Sequence, residues 1–172
     1  MDNMRPEDIV GQGWETFLTF HDGTSRWVIT TDREVAFPEG ELIVSQTDTL
    51  GRIIRCNPAF VHMSGYSPQE LLGQSHHIVR HPDMPRAAFA GLWSTIQQGQ
   101  RWSGYVKNLR KDGAFYWVFA TVIPMVRQGR IVGYTSVRRA PARRKVEEAE
   151  ATYVDLLRAE QTAKAPRTGA RR

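Results

Sequence analysis

The dipeptide Asp112-Gly113 stands between two aromatic-rich runs, Trp102–Asn108 and Ala114–Met125, and limits the fold more than any other feature. Asp-Gly closes antiparallel hairpins, because glycine takes the positive φ that such a turn demands. A second turn at Gln128-Gly129 leads into Arg130–Val137, so three strands follow one another. Upstream, Glu41–Gln46 and Arg52–Arg55 are β-branched runs around Asp48-Thr-Leu-Gly51, a further hairpin signal. Between these two groups the chain is punctuated by helix starts. Asn57-Pro58 reads as an N-cap and first helical residue, and Ser67-Pro-Gln-Glu70 as a capping box. The short helices they open end at Gly65 and Gly73. Pro85–Gln98 predicts a longer helix, with Phe89, Leu92, Trp93 and Ile96 on one stripe and Gly99 as its stop. Strands, helices, then strands again predict an α+β chain whose antiparallel sheet packs helices on one face.

This domain spans 40–139, between an N-terminal extension (1–39) and a C-terminal segment (140–172). In the extension, Trp14, Phe17, Leu18 and His21 share one helical face, predicting a short amphipathic helix from about Gly11. Asp22-Gly23 breaks it, and Trp27–Thr31 predicts a strand. After Pro141, the apolar residues Val146, Ala149, Tyr153 and Leu156 predict an amphipathic helix over 142–161. That seam suits packing on the domain as well as it suits a two-stranded coiled coil. Thr162–Arg172 reads as a disordered end.

Composition excludes several classes. A 172-residue chain that is 41% hydrophobic can bury a core, and no apolar run is long enough to span a bilayer. No basic n-region precedes an apolar stretch, and the single cysteine, Cys56, cannot form an internal disulfide; together these predict a cytoplasmic protein. The net charge of +5 sits entirely in 138–172, which holds ten Lys/Arg against five acids. The tail lacks interleaved aromatics or a recognition motif, so it reads as solvated rather than as a specific nucleic-acid surface. No nucleophile–base pair, carboxylate dyad or phosphate-cradling glycine loop is present, so no catalytic residue is assigned.

The densest chemistry lies in Gly73–Pro85, which places His76, His77, Arg80, His81 and Asp83 within about a dozen residues. Polar groups crowded beside aromatic strands suit a pocket for a large, planar, partly anionic ligand. A metal site is disfavoured, since the histidines lack paired acids or cysteines.

The runs Asn57-Pro-Ala-Phe60, Ser64-Gly-Tyr66, Glu70–Gln74, His77–Pro85, Ala88–Trp93, Trp102-Ser-Gly104, Val106-Lys-Asn108, Lys111-Asp-Gly113 and Gly133–Arg138 resemble, in order, the flavin-binding PAS domain of bacterial aerotaxis receptors. The resemblance covers about 100 residues, and Arg-His-Pro-Asp-Met-Pro is its most discriminating part. It implies a PAS fold with a five-stranded sheet and a non-covalent FAD whose redox state is the signal. It places Asn57, Arg80, His81 and Asp83 at positions tied to flavin binding or signalling, and Trp93 and Asn108 at the isoalloxazine. Physically, an amide can serve an imide edge, tryptophan can wall a flat ring, and arginine can hold a pyrophosphate. Three of these residues also have a plainer role open to them: Trp93 as core, Asn57 and Asp83 as helix caps. Such receptors continue into a membrane anchor and a signalling coil, so this chain would signal through a partner, as a homodimer or as part of a larger receptor. Cys56 is misplaced for a light-driven flavin–cysteine adduct. Two other expectations stand beside the redox sensor: a cofactor-free dimerisation module, and a haem sensor with His81 or His77 as axial ligand.

Overall fold

The computed structural model describes residues 1–20 and 23–164. Two sheets are present among them. The N-terminal hairpin pairs β1 (Trp14–Thr19) with β2 (Ser25–Thr30), and five strands form the main antiparallel sheet. These are β3 (Ile43–Thr47), β4 (Ile53–Cys56), β5 (Trp102–Leu109), β6 (Phe115–Arg127) and β7 (Arg130–Arg139), in spatial order β4-β3-β7-β6-β5. The helices α1 (Pro58–Ser64), α2 (Pro68–Leu71) and α3 (Arg86–Gln97) lie between β4 and β5 in the chain, and α4 (Arg143–Lys164) follows β7.

The punctuation residues act as their chemistry dictates. Asn57 caps α1 by accepting from the Phe60 amide, and Gly65 ends that helix at φ 75°. Ser67 and Glu70 form the reciprocal capping box of α2. Gln128 and Gly129 both take positive φ, 49° and 74°, at the tight turn joining β6 to β7. The α3 helix begins at Arg86 without a side-chain cap, so Asp83 does not fill that role.

One expectation is corrected. The stretch around Trp14, Phe17 and Leu18 is a strand, not an amphipathic helix. Phe17 stands directly opposite Trp27, and their rings meet at 5.1 Å; this cross-strand aromatic pair rewards pairing with β2 over a lone helical stripe. His21 falls outside the described residues. The extension is tied to the main domain by backbone. Thr31 N–H donates to Gly113 at 2.8 Å and Val35 N–H to Phe115 at 2.8 Å, while Met4, Val28 and Ile29 pack on Leu109.

Alternation along β5 and β6 sorts the two faces of the sheet. Val106, Asn108, Tyr116, Val118 and Ala120 face the helices, where Phe60, Met63, Leu71 and Val79 complete the core. Lys107 and Trp117 face the other way, and α4 covers them there. The α4 seam packs on its own domain: Val146 is buried, Tyr153 stacks on Trp117, and its hydroxyl donates to the Tyr105 carbonyl at 2.6 Å. The helix also runs to Lys164, beyond the expected end at 161; residues 165–172 lie outside the described part of the chain.

Candidate functional site

Between α3 and the sheet lies an inner cavity of about 100 Å³, walled mainly by Phe89, Leu92, Trp93, Ile96, Val106 and Val122. Beside it a cleft of about 800 Å³ is lined by Arg52, Arg80, Arg86 and Gln97. The two share Arg80, Phe89 and Trp93. The inner space alone falls below the several hundred Å³ of usual small-molecule sites, whereas with the cleft it comes within that range. Trp93 meets Tyr134 edge-on at 5.5 Å, and a Cβ on Gly51 would stand 3.1 Å from the indole. Gly51 therefore gives Trp93 its room as well as its own turn at φ 78°.

The polar groups of this wall are few and buried. Asn108 is 3% exposed, and its Nδ2 has no hydrogen-bond partner among the described residues. A buried, unserved amide N–H is costly, so this nitrogen and the equally unpartnered Tyr116 hydroxyl opposite it on β6 leave hydrogen-bonding capacity at the wall. Arg80 pairs backbone to backbone with Asn108, which brings the loop after α2 onto the edge of β5. Its guanidinium lies 4.4 Å over Phe89 and donates to the Met84 carbonyl. Burial, followed by the nearby Arg86 charge, pulls its pKa down to about 10, so it stays cationic at neutral pH.

Asn57, His81 and Asp83 do not line this cavity. Both ends of the Asn57 amide are engaged: Oδ1 accepts from the Phe60 and Val44 amides, and Nδ2 donates to the Leu42 carbonyl. It clamps α1 to the start of the sheet. His81 is 4% exposed, with Nδ1 accepting from the Asp83 amide and its ring edge-on to Phe115. Burial pulls its pKa down to about 4 against the opposing pull of Asp83, so the ring is neutral. Asp83 accepts from Lys107 Nζ at 2.6 Å, and Lys107 in turn lies 3.8 Å from Glu150 on α4. These residues join the loop to the far face of the sheet. Of the six residues singled out in the sequence, Arg80, Trp93 and Asn108 meet at the cavity and three support it from outside.

One group was given no site role in the sequence reading. Arg138 is 4% exposed and lines the cavity. Its Nη2 donates to Ser45 Oγ at 3.1 Å and to His76 Nε2 at 2.7 Å, while Nη1 has no partner among the described residues. Because an arginine can only donate, His76 Nε2 is the acceptor and the imidazole is neutral. Burial first, then the Arg138 charge, holds its pKa well below the ordinary 6.5. The signal was present in strand alternation: Tyr134, Ser136 and Arg138 share a face of β7, and a charge on the core-facing side of a strand marks a special position.

Residues 53–138 match the family model described as "PAS fold". The chain belongs to the PAS fold family. It is 45% identical over 126 residues to the aerotaxis receptor of Escherichia coli, a match covering 73% of this chain and 25% of the receptor. It is 33% identical over 102 residues to a nitrogen fixation regulatory protein of Klebsiella oxytoca, covering 59% of this chain and 21% of that protein. The chain thus spans a quarter or less of these curated relatives. Among solved structures, the light state of the blue-light photoreceptor Aureochrome1 LOV superposes with a TM-score of 0.55 at 24% identity, covering 70% of this chain and 91% of that one; this is a likeness of fold. PAS sensors of this kind are signal-sensing modules, and this chain is one of them by fold and family. No helix among the described residues is long and apolar enough to cross a membrane.

Proposed function

We propose that this PAS domain is a flavin-binding redox sensor that holds FAD between α3 and the sheet and passes its redox state to a partner protein in the cytoplasm. The observation that carries the reading is the buried, unpartnered Asn108 amide at the wall of an apolar cavity. A ring with a donor–acceptor edge serves such an amide, and Trp93 and Phe89 supply flat apolar walls. The Arg80, Arg86 and Arg52 side chains of the neighbouring cleft suit the phosphates of a dinucleotide. The likeness to an aerotaxis receptor supports the same reading, as does a solved LOV-domain relative named for a flavin analogue. A bound flavin supplies reversible electron uptake and changes its charge and hydrogen-bonding edge as it does so.

The chain's own residues provide a route outward. Asn108 adjoins Lys107 on β5, and Lys107 bridges Asp83 and Glu150 across the outer face. A changed pull on Asn108 shifts β5 and with it the balance of contacts that holds α4, by no more than the difference in contact energy between states. The exposed side of α4 then meets the partner, most simply in a homodimer.

Absorption spectra of the purified chain test this directly. The expected result is bound flavin, identified as FAD after release, with affinity falling at least tenfold in Asn108→Ala and Arg80→Ala. A colourless protein that ignores added FAD and FMN would end the reading, and a colourless stable dimer would favour a cofactor-free interaction module.

A further inference from the structure

We propose that Arg138 is the charge-binding group of the inner cavity, its unpartnered guanidinium nitrogen holding the negative charge that a flavin gains on reduction. The proposal rests on the flavin reading and adds a residue and an electrostatic role to it. Arg138 is 4% exposed, and no Asp or Glu lines the cavity it faces. Its Nη2 is fixed by Ser45 and His76, and the guanidinium lies 5.1 Å over the Phe60 ring, so the remaining Nη1 has a set direction. The His76 partner is neutral, which leaves the pair with one whole positive charge. The other cation of the wall, Arg80, stands at the mouth that the cavity shares with the cleft, with Nη2 on the Met84 carbonyl and its guanidinium over Phe89.

A buried charge without a counter-charge is costly, and that cost falls when a ligand brings the opposite sign. A planar heterocycle that accepts two electrons and one proton from a two-electron reductant is left with one added negative charge, spread over its pyrimidine edge. Such a ligand is stabilised by Arg138 more in its reduced than in its oxidised form. The residue therefore favours reduction, while Asn108 and Trp93 bind both forms.

Reductive titration with dithionite against a reference dye tests this, using wild-type, Arg138→Gln and Arg138→Lys proteins loaded with the same flavin. Arg138→Gln is expected to lose at least tenfold in its preference for the reduced ring, about 30 mV for a two-electron couple. Arg138→Lys, which keeps the charge but not the planar fork, is expected to fall between. A flavin-loaded Arg138→Gln protein with the wild-type potential overturns the proposal. If that variant fails to fold or to hold flavin, Arg138→Lys and Ser45→Ala decide, and wild-type potentials in both overturn it. A yellow wild-type protein with unmoved variants defeats only this role of Arg138; a wild-type protein that takes up no flavin defeats the flavin reading and this role together.

Discussion

Single side chains in this domain divide by whether their polar atoms are spent. Asn57 engages both its oxygen and its nitrogen with backbone partners in two segments, as a helix cap and as a strand clamp. Asn108, a chemically identical side chain, keeps its nitrogen unserved at the cavity wall. The two should therefore answer mutation differently. Asn57→Ala loses a cap and strands the Val44 amide, so it is expected to cost about 2–3 kcal/mol of stability in urea unfolding. Its flavin affinity, measured on the folded fraction, should stay near wild type. Asn108→Ala should do the reverse, lowering affinity with little loss of stability, because no existing hydrogen bond of its nitrogen is broken.

At the level of elements, β5 joins the cavity side of the sheet to the α4 side. One face carries Asn108 to the cavity and the other carries Lys107 to Asp83 and α4. The α4 helix is held chiefly by Val146, by the Tyr153–Trp117 stack and by the Tyr153 hydroxyl on Tyr105. Tyr153→Ala is expected to speed amide exchange across 143–164 at least tenfold while the sheet keeps its protection, since α4 opens as a local unit. Lys107→Met removes a cation whose partners Asp83 and Glu150 are half exposed and stay hydrated without it, so the apolar chain of similar length should leave the fold intact. In that variant any difference in α4 exchange between oxidised and reduced protein should shrink; an unchanged difference would show that the signal bypasses Lys107. The N-terminal hairpin belongs to this scale too. Its Phe17, Leu18 and Trp14 satisfy a helical stripe on paper, but Trp27 offers Phe17 a ring to pack on only when the segment is extended.

The molecule as a whole carries histidines kept neutral by burial, which ties its stability to pH. The folded pKa values of His76 and His81 lie below 6.5, so the unfolded chain binds protons that the folded chain refuses. Stability is then full above about pH 7 and declines as pH falls through 6.5, by up to about 1.4 kcal/mol per pH unit for each histidine. For His81 the decline ends near its folded value of about 4, and the depressed carboxyl of Asp83 adds loss in the same direction at lower pH. Urea midpoints compared at about pH 7.5 and about pH 5 should show the fall, and His81→Gln should lessen it; a flat profile would mean these rings are not held neutral. Local sequence chemistry determined the caps at Asn57 and Ser67, the turns at Gly113 and Gly129, the stripe of α3 and the alternation of the strands. Each of these is decided by a residue and its near neighbours, so each could be read along the chain. Tertiary structure alone decided which polar groups converge. It brought Arg80 beside Asn108 and His76 beside Arg138, set Asn57 and Asp83 outside the cavity, and turned the first segment into a strand against Trp27. Whether a buried polar atom is left without a partner depends on every segment packed around it, and no stretch of sequence contains that sum.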